Sequence, residues 1–122
     1  MIYLDTNVLV SAIVGDANAG VADEWIARQS APLAVSTWAR VEFYSHIGLR
    51  MRKNEETRQN ALRIIQRFDD TIAESFSLVT SEEAATKLAA SWLRDPNCAL
   101  QTGDALHLAI AVECGATAIA TF

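Results

Sequence analysis

Three of the fifteen acidic residues in this 122-residue chain stand where ordinary surface charge does not account for them. Asp5 follows directly on Ile2-Tyr3-Leu4, a short run of strand formers. It therefore sits at the carboxyl end of a strand, the edge at which ligand crevices open in α/β sheets, or serves as the N-cap of the apolar stretch after it. Glu42 lies within a helical stretch among Trp38, His46 and Leu49, with no cation four residues away on either side. It is either a carboxylate satisfied by a ligand or a surface side chain that snorkels to water. Asp104 opens a stretch from Ala105 to Cys114 whose only later charge is Glu113. There it either complements a helix dipole or is held at the rim of a sheet. The remaining acids read as bland. Glu55-Glu56 and Glu82-Glu83 fall in helix first turns, Asp69-Asp70 on a solvated helix face, and Asp95 in a turn.

Brought to one sheet edge, Asp5, Glu42 and Asp104 repel one another and raise their own pKa values. A divalent cation reverses that cost. Hard oxygen donors without a thiolate or a paired histidine point to Mg²⁺ or Mn²⁺ and away from zinc. A hard ion that keeps several of its waters is suited to phosphodiester hydrolysis. His107, three residues past Asp104 in an apolar setting, reads as a packed core histidine in preference to a catalytic base.

The elements that must position these residues alternate along the chain. Strands are expected at Ile2–Leu4, Leu33–Val35, Phe76–Val79 and Thr117–Phe122. Helices are expected over Val8–Val14, Val21–Gln29, Trp38–Met51, Glu55–Ile72, a segment ending near Leu93, and Ala105–Cys114. Thr80 and Glu83 match a capping box for the fifth of these, Asp95-Pro96-Asn97 breaks it, and Gly115 stops the sixth. Short apolar strands separated by helices make a parallel sheet covered on both faces. The expected fold class is α/β.

A chain of this length, 51% apolar and 20% charged, makes one domain with a real core and is not a disordered segment. The net charge of −5 argues against binding nucleic acid or an anionic membrane through bulk charge. The charge is uneven, however. Residues 40–67 hold seven basic against three acidic side chains, a net of +4, and the remainder holds three against twelve. Arg50, Arg52 and Lys53 crowd one corner of that basic stretch. They either meet a nucleic-acid backbone or form the solvated end of a helical hairpin. Cys98 and Cys114 form no CxxC unit, the start lacks a basic signal region, and no apolar run is long enough for a membrane. These features set the expectation of a cytoplasmic protein with reduced thiols.

Three patches resemble the PIN-domain ribonucleases, and among them the VapC toxins of bacterial toxin–antitoxin pairs. They are Ile2-Tyr3-Leu4-Asp5-Thr6-Asn7-Val8-Leu9-Val10, Val41-Glu42-Phe43, and Thr102-Gly103-Asp104-Ala105-Leu106-His107-Leu108-Ala109. The third is the most specific, and the similarity in element order spans the chain. The resemblance implies a three-layer α/β/α fold in which Asp5, Glu42 and Asp104 hold one or two Mg²⁺ or Mn²⁺ ions and RNA is cut to leave 5′-phosphate and 3′-hydroxyl ends. It implies that Thr6 and Asn7 position Asp5 and a ligand water. It also implies a homodimer, and a separate antitoxin that inhibits it. Thr121 matches a family threonine two places before a fourth acid, which would fall beyond Phe122. Family members continue there into one more helix and strand, so the resemblance implies a single domain over 1–122, shortened at its C-terminus.

Two other functional classes are compatible with parts of this pattern. A catalytically silent PIN-like module that binds RNA or a protein partner would need no complete acid set. A receiver-like phosphoacceptor would need an Asp ending the Phe76–Val79 strand and a Lys ending a later one, and the sequence has neither.

Overall fold

A computed structural model describes residues 1–122. Four short strands, β1 (Ile2–Leu4), β2 (Leu33–Ser36), β3 (Ser77–Val79) and β4 (Ala118–Ala120), form one sheet in the order β3-β2-β1-β4. Every pairing is parallel, with Tyr3 opposite Ala34 on one side and Ile119 on the other. Six helices surround the sheet: α1 (Thr6–Val10), α2 (Ala19–Arg28), α3 (Thr37–Arg52), α4 (Arg58–Ser75), α5 (Glu83–Leu93) and α6 (Thr102–Glu113). The α/β class and its parallel sheet are those expected of alternating strands and helices. No helix is long and apolar enough to cross a membrane.

The period-two alternation of β1 divides the interior into two layers. Leu4 faces an apolar core built with Leu9, Val35, Phe43, Ile47, Phe68 and Ile72, under α1 to α4. Tyr3 faces the opposite side, where Ala85 and Ala89 of α5 and Ala105, Ala109 and Ile110 of α6 pack around it. On the first side, Phe43 and Phe68 stack with centroids 3.9 Å apart and fasten α3 to α4. Such a pair contributes about 0.5–1.5 kcal/mol beyond its area burial. On the second side the run of alanines lets two helices lie close to each other.

Several local expectations are corrected. The stretch from Val8 to Val14 is not one α-helix: α1 passes into a π-helical turn at Ser11–Gly15. Ser11 is buried and donates to Asp16 Oδ2 (2.9 Å), and Gly15 at φ +88° ends the turn in a region that favours glycine. Glu55 and Glu56 do not open a helix. The α4 helix starts three residues after Glu55, with Thr57 as N-cap accepting from the Asn60 amide (3.2 Å). The two glutamates instead lie in the α3–α4 turn beside Arg50, at 3.7 and 3.3 Å. The proposed capping box is also absent: Thr80 donates to Glu82 (3.0 Å), and Glu82 is the cap residue of α5. Gly115, at φ +75°, stops α6 as its spacing suggests.

Candidate functional site

The strand order carries the logic of the site. From β1 the chain proceeds to β2 and β3 on one side, and β4 then returns to the other side of β1. The order therefore reverses between β1 and β4, and the carboxyl ends flanking such a switch point leave a crevice. Asp5 follows β1 and Thr121 follows β4, so both stand at that crevice. The Asp5 amide donates to the Ala120 carbonyl (2.9 Å), which extends the ladder by one bond and fixes the side chain's point of departure.

Asp5 occupies the N-cap position of α1, yet its side chain makes no capping bond. Its Oδ2 accepts from Thr121 Oγ1 (2.8 Å), and its Oδ1 lies 3.4 Å from His107 Nε2. Asn7 reaches the same place from α1, donating to Thr121 Oγ1 (3.1 Å) and accepting from the Phe122 amide (3.2 Å). Asn7 thus touches Asp5 through Thr121. Thr6 is turned the other way and donates to Glu42 Oε1 (2.8 Å).

Glu42 has partners that its helix neighbours do not suggest. Alongside Thr6, the buried His107 reaches Oε1 of Glu42 through Nε2. Burial pushes the Glu42 carboxyl up, but the hydrogen bonds from His107 and Thr6 outweigh it and hold the group below the usual carboxylate range. The repulsion expected to raise the three acids together therefore does not govern Glu42. Asp104 is exposed in the first turn of α6, and Gly103 beside it lies close enough to α3 that an added Cβ would stand 3.4 Å from Glu42 Oε2.

A polar cleft of about 420 Å³ gathers Asp5, Thr6, Asn7, Glu42, Gly103, Asp104 and His107. Ser11, Asp16 and Asn18 from the π-helical turn and its exit extend it, with His46 one turn along α3 from Glu42. Burial and the Arg50 charge hold the His46 imidazole below its usual range. A separate apolar groove of about 300 Å³ beside β4, lined by residues such as Val8, Trp25 and Ile119, contains no titratable group.

Sequence reasoning placed His107 in the core, and it is 2% exposed. What that reasoning missed is the polar company: Tyr3 and Glu42 both hydrogen-bond its ring. Nothing near His107 along the chain signals that company, because Tyr3 and Glu42 lie 104 and 65 residues away. Ser11, Asp16 and Asn18 were not singled out, because Ser11 falls inside the expected Val8–Val14 helix and Asp16 and Asn18 in the turn after it. Arg50 is held by Glu55 and Glu56, whereas Arg52 and Lys53 are exposed at the end of α3. Along α3, Arg50 lies two turns beyond Glu42, roughly 12 Å away.

The donor set suits a hard cation. Asp5, Glu42 and Asp104 offer carboxylate oxygens, and no cysteine lines the cleft. As the side chains stand, no three His, Cys, Asp or Glu groups close around one point at metal-binding distance. Asp5 and Glu42 are instead turned to Thr121, Thr6 and His107.

A family model of the PIN domain matches residues 2–122. The chain belongs to the PIN domain family. The fold is shared with several solved structures at low sequence identity. VapC20 of Mycobacterium tuberculosis, described as a toxin that cleaves the sarcin-ricin loop, is 18% identical with a TM-score of 0.77, covering 100% of this chain and 89% of that one. FitAcB of Neisseria gonorrhoeae is 18% identical with a TM-score of 0.74, covering 97% and 85%. VapBC2 of Rickettsia felis, solved with a DNA fragment from its promoter, is 18% identical with a TM-score of 0.67, covering 100% and 89%. No match is found among curated proteins.

Proposed function

We propose that this PIN-domain protein is a Mg²⁺- or Mn²⁺-dependent endoribonuclease, the toxin of a toxin–antitoxin pair. The observation that carries the reading is the meeting of Asp5, Glu42 and Asp104 around one polar cleft at the β1/β4 switch point. Asp5, Glu42 and Asp104 are the residues that would hold the ion. When bound, a divalent ion supplies an activated water and neutralises charge on the in-line phosphoryl transition state. The chain's own groups do the rest. Thr121 and Asn7 orient Asp5 from the β4 side, Thr6 orients Glu42 from α1, and the buried floor under β1 keeps bulk water to one side. The exposed Arg52 and Lys53, with Arg50 behind them, offer a path for the phosphate backbone leaving the cleft along α3. The expected partners are RNA, a second copy of the chain and a cognate antitoxin. A toxin–antitoxin complex from Klebsiella pneumoniae among the structural neighbours supports the antitoxin among these partners.

Incubation with RNA in Mg²⁺ and in EDTA tests the reading. Cleavage in Mg²⁺ alone, abolished by Asp104→Asn, is the expected result. Equal cleavage in both, or full activity in Asp104→Asn, would overturn it. Failure of Mn²⁺ to bind saturably would favour a catalytically silent module.

A further inference from the structure

Beneath the cleft floor runs a line of buried polar groups that the proposed reaction does not use. Tyr3, Ser36 and His107 are each at most 2% exposed, in a layer otherwise made of alanine and isoleucine. Buried polar groups in such a setting cost stability unless each is satisfied. Here each one is. The Ala39 amide donates to Ser36 Oγ (3.0 Å), Ser36 Oγ meets Tyr3 Oη (2.8 Å), Tyr3 Oη meets His107 Nδ1 (2.6 Å), and His107 Nε2 meets Glu42 Oε1.

The Glu42 end of the line sets its direction. At one end a backbone N–H can only donate, and at the other an ionised carboxylate can only accept. Ser36 Oγ, already accepting from Ala39, is free to give its own proton to Tyr3. The Tyr3 hydroxyl then gives its proton to Nδ1 of His107. Because Glu42 can only accept, the hydrogen of a neutral ring sits on Nε2, directed at Glu42, with Thr6 Oγ1 3.1 Å and Asp5 Oδ1 3.4 Å away. The opposite tautomer would aim a lone pair at two carboxylates.

We propose that His107 is a positioning residue: Ser36 and Tyr3 fix its Nε2–H tautomer, and that N–H holds Glu42 in place beside Asp5, whose Oδ1 lies 3.4 Å from the same nitrogen. Glu42 is thereby set in place before any cation arrives. The inference rests on reading the cleft as a divalent-ion site. The tautomer itself does not depend on that reading. Partners of this kind, one step removed from the ligands, typically change metal affinity or activity by about 10–100-fold when removed.

The test uses the full chain and two readouts. Imidazole nitrogen NMR on metal-free protein near neutral pH is expected to find the Nε2–H form at His107, and Tyr3→Phe, which removes one hydroxyl and keeps the ring, is expected to mix in the Nδ1–H form. Mn²⁺ titration by calorimetry is expected to show affinity about 10–100-fold weaker in Tyr3→Phe and in His107→Asn. An asparagine can still meet Tyr3 but is too short for Glu42. His107→Gln, whose amide reaches the Nε2 position, is expected to recover most of what His107→Asn loses. An Nδ1–H or doubly protonated ring in the wild type, unchanged Mn²⁺ affinity in Tyr3→Phe, or equal loss in the Gln and Asn variants would overturn the proposal. A wild-type protein that takes up no Mn²⁺ would refute the ribonuclease reading instead, and the tautomer in Tyr3→Phe would still decide the relay.

Discussion

Leu4 and Tyr3 are adjacent in one strand and face opposite worlds. Leu4 enters a layer held by dispersion and burial, where Phe43 and Phe68 stack between α3 and α4. Tyr3 enters a layer of small side chains that carries a hydrogen-bonded line to the cleft. The first layer stabilises the domain and is indifferent to the identity of any one methyl group, provided volume is kept. The second layer contributes less apolar area, but its polar groups have only one satisfactory arrangement. One face of the sheet carries the larger apolar core, and the other carries the hydrogen-bonded line that reaches Glu42 on α3.

The sharpest way to break that division is to exchange the costs. Phe43→Ala, on the apolar side, is expected to cost about 3–5 kcal/mol of stability, read by urea denaturation. Activity per folded molecule should be retained. A comparable loss of activity without unfolding would abolish the distinction. Asp104→Asn is expected to do the converse. RNA cleavage should fall at least about a hundredfold, equivalent to roughly 2.7 kcal/mol of barrier, while the denaturation midpoint moves by less than about 1 kcal/mol for the lost helix-dipole contact.

Glu42→Gln lies between them, because Glu42 accepts from both His107 and Thr6. Removal of the charge should abolish cleavage and cost about 1 kcal/mol of stability in EDTA. A rise in stability would mean that repulsion among the acids outweighs those bonds. The smallest expected effect is at His46, whose pKa is lowered by burial and by Arg50. The folded protein then binds fewer protons there than the unfolded chain, so stability is lost as pH falls from about 6.5 toward the lower folded pKa and levels off below it. Comparison of wild type with His46→Gln across that window should show a shallower decline in the variant.

The sequence pattern was informative where the causes are local. Strand formers before Asp5, apolar Phe43 and Ile47 one turn apart, and the apolar helix behind Asp104 are all short-range features, and the parallel sheet follows from their alternation. Boundaries set by side-chain competition were harder to read. Glu55 and Glu56 look like helix starters, but Arg50 draws them into the turn and Thr57 caps the helix. The polar line through Tyr3 was not legible at all. Its members are separated by 33 and 104 residues, and nothing in the vicinity of His107 along the chain announces a phenol or a glutamate. A histidine among alanines and leucines looks apolar until the fold brings β1 and α3 against it.

The pairing of β4 with β1 has a consequence for the order of events in the life of the chain. Asp5 and Thr121 are 116 residues apart and become neighbours only when β4 docks beside β1. During synthesis the early strands and α1 to α4 can collapse while the far side of β1 still lacks its partner. Contacts of such long sequence separation close late and slowly. A nascent chain therefore carries Asp5 and Glu42 without their partners on the far side of β1 until β4 has emerged and docked.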